Sequence, residues 1–392
     1  MNKSNKLEII GVLSLSLLIC SAFAVSSCVP EMMRDFPDHS RSTLELLMSA
    51  PSFSMLTMIA LTPILSKFLS ERFMVIAGLS IFGVAGLVPV FVKSYALIFM
   101  ARIAMGVGIG LLNAKAVSMI GERFTGELRS KLQGIRCSME TLGQSALMLV
   151  VGFLLPYGWN YAFLVYASAF LILLIYLICV PVRKPSKSET VNKNTSTETY
   201  RLSSKDWTII VRNFLLGLTL VTGQMVISLR ITSYLVEYQI GTAVDGANIL
   251  SISVFCGFVG GILFGKLLTI MKQKLLPLAL LLVGLSLGCI GLFQSLPIVA
   301  VAACIANMCL TIGLSYMFNG LSDQVPVGAL NTANSMVLVG CNLGSSITPA
   351  IFGAIALFSP KLTVTYFVYA AVFILLAVIV FMNQKKHTSK EK

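Results

Sequence analysis

Charged side chains stand inside long apolar stretches of this sequence, among them the cations Arg102, Lys115 and Arg230 and the carboxylate Glu140. A guanidinium or ammonium in such surroundings could hold an anion, and a carboxylate there could take up and release a proton. Because a charge in an apolar medium persists only where water, a partner or a ligand compensates it, each of the four needs an explanation.

The stretches that carry them dominate the chain. Of 392 residues, 56% are apolar and only 11% charged, with a mean hydropathy of +0.88, too little polar surface to coat a water-soluble globule of this size. Lipid must be the solvent. The apolar runs fall at 9–29, 44–66, 73–92, 95–119, 133–155, 160–182, 207–232, 246–270, 275–294, 296–320, 327–355 and 361–382, each about 20 residues long. They lack the period-two alternation of barrel strands, so they predict helices. The expected fold class is therefore an all-α integral membrane protein with twelve transmembrane helices in two six-helix halves.

Charge orients the ladder. With the N-terminus inside, 22 of the 29 Lys and Arg residues flank the cytoplasmic ends, and only Arg34, Arg41, Lys93 and Lys361 lie outside. Both termini are thus expected in the cytoplasm, and the protein in the cell (plasma or inner) membrane. The polar stretch from Arg183 to Asp206 divides the segments equally: residues 1–182 form an N-terminal half, 183–206 a cytoplasmic linker, 207–382 a C-terminal half and 383–392 a cytoplasmic tail. Two halves on a linker suggest alternating access around a site near the bilayer midplane.

Several function classes drop out. The net charge of +13 is spread over short loops with no basic-aromatic groove, so nucleic acid is not an expected partner. Nine cysteines show no CxxC, and the two histidines, His39 and His387, are far apart, so neither a metal site nor a cofactor is expected. An integral-membrane enzyme would need clustered His, Asp or Glu at membrane depth, which the segments lack. The run ending Val25-Ser26-Ser27-Cys28 has the form of a lipoprotein signal, but it is long enough to span and its removal would leave eleven segments.

The fourth segment reads Arg102-Ile-Ala-Met-Gly106-Val-Gly108-Ile-Gly110, which resembles the R-x-x-x-G-x-G-x-G motif of the major facilitator superfamily. Glu122-Arg123-Phe124 and Arg129-Ser-Lys131-Leu-Gln-Gly134 resemble the family's basic loop into helix five, Gly158-Trp159-Asn-Tyr-Ala-Phe163 its opening of helix six, and Asn342-Leu-Gly344 with Pro349 and Gly353 its helix eleven. Two motifs depart from the family. The G-x-x-x-D-R-x-G-R/K pattern after helix two is degenerate in Pro63-Ile-Leu-Ser66-Lys67-Phe-Leu-Ser-Glu71-Arg72-Phe73, where Glu71 and Arg72 are left as candidates for a cytoplasmic gate. The Gly-Pro signature of many family antiporters is missing from helix five, which weakens an export role.

The resemblance implies that helices 1, 4, 7 and 10 line a central cavity. At about 100° per residue, Arg102, Gly106 and Asn113 form one stripe of helix four, expected to face that cavity, while Lys115 lies about 140° away. For Lys115 the expected role is an ion pair with a neighbouring helix or snorkelling to the interface. Glu140 is the candidate proton site; a structural pair with Arg136 or Lys115 is the competing reading. Arg230 either attracts an anionic substrate or joins an outer gate with Glu237. Gln224, Asn307, Tyr316 and Asn319 could hydrogen-bond a solute or bind helices together. Gly106, Gly108 and Gly110 lie mid-helix with no Gly-Lys-Ser/Thr continuation, so they predict close helix packing rather than a phosphate loop.

With no nucleotide site visible, the expected function is a secondary active transporter of a small organic solute, proton-coupled and working as a monomer. Uptake or exchange of an organic anion is favoured by the embedded cations. The alternatives are proton-driven efflux of a drug-like compound or metabolite, favoured by the Met-rich and Phe-rich helices, and a transporter-like membrane sensor.

Overall fold

The computed structural model describes residues 3–66, 68–124, 126–181 and 203–388. Most of the predicted linker, Lys67 of the degenerate motif and the last four tail residues lie outside them. Lipid offers the backbone no hydrogen-bonding partner, so each segment must satisfy its own amides. Every regular element among the described residues is accordingly helical.

The chain divides into two compact units, Met1–Tyr200 and Arg201–Lys392. The first holds α1 (Lys3–Ser16), α2 (Val29–Asp35), α3 (Arg41–Leu65), α4 (Glu71–Phe91), α5 (Tyr95–Arg123), α6 (Gly126–Leu154), α7 (Trp159–Ala162) and α8 (Ser168–Cys179). The second holds α9 (Ser204–Glu237), α10 (Ala243–Met271), α11 (Leu275–Leu292), α12 (Leu296–Gln324), α13 (Val327–Phe358) and α14 (Leu362–Thr388). Ten described stretches are long and apolar enough to cross a bilayer. One of them, Ala243–Leu292, contains both α10 and α11, and a bent pair at the N-terminus supplies one more, which agrees with twelve spans.

Small polar residues start many of these helices. Ser40 and Ser70 accept the amides of Thr43 and Phe73 at 3.3 Å, and Ser203 with Asp206 and Thr242 with Asp245 form reciprocal capping boxes. Each satisfies donors that would otherwise be orphaned near the lipid.

The first segment is not the single helix expected over 9–29. It breaks after Ser16, passes through 3-10 turns at Ser21–Phe23 and Ser26–Cys28, and resumes as α2, with a 47° bend between its arms. Serines explain the break. Ser14 Oγ bonds the Gly11 carbonyl at 2.9 Å and Ser21 Oγ the Leu18 carbonyl at 2.5 Å, while the amides of Leu17 and Ser21 reach back three residues to Ser14 and Leu18. These local bonds compete with the i to i+4 ladder, and the regular helix gives way. The sixth segment is likewise divided, with α7 and α8 joined by a 3-10 turn at Phe163–Ala167.

Packing repeats between the two units. In the first, α5 packs on α3 and α4, α4 on α8 and α1 on α6; in the second, α12 packs on α10 and α11, α11 on α14 and α9 on α13. Equivalent spans take equivalent neighbours, the signature of an internal repeat.

Candidate functional site

Arg102 is 1% exposed, and backbone carbonyls receive its donors. Its Nε bonds the Leu47 carbonyl at 3.2 Å, and its Nη2 bonds Ala22 at 2.6 Å and Met48 at 2.9 Å. The sequence supplies the reason. Pro51 has no N–H to return to Leu47 four residues earlier, so α3 leaves that carbonyl open. The broken first span leaves Ala22 open as well. Tyr166 completes the node, accepting from Arg102 Nη1 at 3.2 Å and donating to the Ser21 carbonyl at 3.2 Å. The guanidinium thus ties α3, α5, the first span and the 3-10 turn before α8 through charge-assisted hydrogen bonds.

The glycines of the same motif bring the helices close enough for this. A Cβ at Gly106 would strike Pro51 and Ser54 of α3, one at Gly110 would press on Met55 and Met58, and one at Gly108 would meet Gly78 and Phe82 of α4. The Ser54 hydroxyl also donates to the Ile103 carbonyl at 2.7 Å. The stripe of Arg102 and Gly106, expected to face a cavity, therefore faces α3, because the glycines admit its backbone. Asn113, on the same stripe, is half-buried.

Lys115 has a different setting. It is 7% exposed, and its ammonium has neither a hydrogen bond nor an ion pair among the described residues. The expected alternative of a Lys115–Glu140 pair does not form. Glu140 accepts instead from Arg136 one turn earlier on α6, with the Cys20 thiol of the broken span 3.9 Å from its other oxygen. Sequence neighbours reach each other along a helix at lower entropic cost than residues on separate helices.

Two further charge clusters brace the first unit. Arg123 bonds Glu8 of α1 at 2.5 Å and also pairs with Glu71 of α4, joining three helices at one end. Arg72, the other expected gate residue, makes no ion pair among the described residues. Toward the opposite ends of α2 and α4, Asp35 accepts from Trp159 Nε1 at 2.9 Å and from Lys93 at 3.2 Å. Gly158, at φ +122°, makes the turn that presents Trp159.

In the second unit, Arg230 of α9 is 4% exposed, lies 4.3 Å over the Phe352 ring and donates to Thr365 at 3.3 Å. The buried Tyr234 hydroxyl one turn on has no hydrogen-bond partner among the described residues. Asn307 is buried and donates to Ser253 of α10 at 2.9 Å, an interhelical bond. Gln224 is half-buried and Asn319 exposed. Tyr316 borders a cavity of about 790 Å³ between α9, α11, α12 and α14, whose polar lining includes Arg212, Asn213, Gln324 and Asn383. Arg212 donates to Gln324 across it.

The sequence profile of the Major Facilitator Superfamily matches residues 11–274 and 214–392. The chain belongs to the Major Facilitator Superfamily. It is a multi-pass integral membrane protein of transporter fold. The inward-open xylose transporter XylE from E. coli superposes with a TM-score of 0.76 at 15% identity, over 95% of this chain and 94% of its own. A D-xylose-proton symporter gives 0.77 at 16% identity over 96% and 97%, and the nucleoside transporter NupG 0.74 at 13% over 97% and 100%. At such identities the likeness establishes the fold. No curated protein matches by sequence.

Within this superfamily chain, sequence reasoning missed Glu8, Tyr166 and Asp35. Glu8 was the detectable one: an acid at the head of an apolar run that needed a cation. The partners of Arg102 are main-chain atoms, which no residue type announces; only Pro51 hinted at an open carbonyl.

Proposed function

We propose that this protein is a secondary active carrier that moves a small organic anion across the cell membrane by alternating access, taking it up or exchanging it, with protons as the coupling ion. The observation that carries the solute class is Lys115 of α5, a residue only 7% exposed whose ammonium has no hydrogen-bond or ion-pair partner among the described residues. An ammonium within an apolar span and without a fixed counter-ion is open to a passing anion, which compensates its charge. Arg230, Asn113, Gln224, Asn307, Tyr316 and Asn319 are the further solute contacts in this reading. Glu140 is the proton site, with Arg136 its counter-ion between protonation events, and Glu71 with Arg123 and Arg72 forms the cytoplasmic gate. The carrier works as a monomer with both termini in the cytoplasm, its halves at 1–182 and 207–382 joined by the 183–206 linker.

A neutral hydroxylated solute is the second reading, supported by the carboxamides of Asn213, Gln324 and Asn383 around the cavity of the second unit. Proton flux in dye-loaded proteoliposomes, challenged with organic anions, neutral polyols and lipophilic cations, separates the cases. Proton entry triggered by an anion and lost in Lys115→Gln is the expected result. Entry triggered by polyols favours the second reading, proton counterflow with lipophilic cations favours efflux, and silence throughout would replace proton coupling with exchange or sensing.

A further inference from the structure

On the outer face of the second unit, a crevice of about 420 Å³ runs between α11 and α14 beside the turn that joins α10 to α11. Its walls are almost wholly apolar, with Pro277, Leu281, Val378 and Phe381 among them, and Lys274 stands at its edge. We propose that this crevice holds an anionic phospholipid, with one acyl chain between the helices and the phosphate against Lys272 and Lys274.

Three observations support that occupant. Val378 and Phe381 are 48% and 42% exposed in the segment that crosses the bilayer, so hydrocarbon is the medium that meets them. The local charge has one sign. Lys266, Lys272, Lys274, Lys385 and Lys386 lie at this end of α10, the turn and α14, whereas the sequence has no Asp or Glu from Gly246 to Leu292 or from Leu362 to Lys390. Asp245, the one carboxylate in α10, caps the far end of that helix, so no carboxylate of α10, α11 or α14 lies beside these lysines, and a lipid phosphate supplies the missing anion.

The backbone gives the third. Lys272 adopts φ 49° and ψ −125°, a conformation at ease only for glycine, while both lysines are exposed. A lysine at a position where glycine would be unstrained, two residues from another lysine and above an apolar slot, sets charge beside that slot at a conformational cost. A second protein would have to bring both an acidic group and an apolar rod of matching depth, which one phospholipid combines.

Native mass spectrometry of the detergent-purified carrier, titrated with phosphatidylglycerol, phosphatidylcholine and water-soluble glycerol phosphate, tests the proposal. Phosphatidylglycerol should remain bound at least about tenfold more tightly than phosphatidylcholine, and glycerol phosphate should not bind. Joint Lys272→Gln and Lys274→Gln replacement should weaken phosphatidylglycerol roughly thirtyfold, and Val378→Trp, which fills the slot, should also release it. Equal retention of both lipids, or wild-type retention by both variants, overturns the site; tight binding of glycerol phosphate overturns the acyl chain's part. Should a variant lose helical circular dichroism, Phe381→Trp fluorescence decides instead: stronger quenching by brominated phosphatidylglycerol than by brominated phosphatidylcholine supports the site, and equal quenching refutes it.

Discussion

Arg102 and Lys115 sit on the same helix and are buried to a similar degree, 1% and 7% exposed, yet their surroundings are opposite. The guanidinium meets the Ala22, Leu47 and Met48 carbonyls and the Tyr166 hydroxyl, while the ammonium meets no partner among the described residues. Burial alone therefore does not separate a structural cation from a functional one; the fate of the donors does. A guanidinium fork suits several fixed carbonyls at once, whereas an ammonium on a flexible stem suits a ligand that comes and goes.

The comparison breaks most directly at Arg102. Arg102→Ala leaves three carbonyls without their donor, so the protein should lose about 3–5 kcal/mol of stability, read as a fall in Tm of the purified protein in detergent. A wild-type Tm would make Arg102 as expendable as a ligand contact. Lys115→Gln should do the reverse, cutting anion uptake by roughly tenfold to a hundredfold at unchanged Tm, with partial recovery in Lys115→Arg. Uptake that survives in Lys115→Gln would end its assignment.

Gly106→Leu drives a side chain into Pro51 and Ser54 and should cost about 1–3 kcal/mol, whereas Gly134→Ala, with nothing within 4 Å of the added carbon, should be neutral or slightly stabilising. Equal behaviour of the two would show that α3 yields. Glu140→Gln should change stability by no more than about 1 kcal/mol because its partner is an i,i+4 neighbour. Flux in that variant should no longer follow a pH gradient; coupling that persists would leave Glu140 as a strut.

The spans were readable because hydropathy averages over about 20 residues, the scale on which a bilayer acts. The same averaging hid the break at Ser16, since serine back-bonding acts over one turn. The Arg-Gly motif on α5 was visible as a pattern, but its direction was not. Gly106 and Gly110 face α3 because Pro51, Ser54, Met55 and Met58 come too close there to admit a Cβ, a relation between segments some 50 residues apart. Glu8 and Arg123 are a pair of the same kind, joined by the fold and by no local spacing.

The broken first span also imposes an order on synthesis. When residues 17–28 reach the bilayer, the chain has not yet made Arg102 or Tyr166, so the carbonyl of Ala22 enters lipid without the groups that later hold it. Each unpartnered carbonyl there is costly, and the leading span waits near the headgroups until α5 and the sixth span arrive. A span made before α5 is thereby expected to settle only after it, with its half rather than the single helix as the unit of membrane insertion.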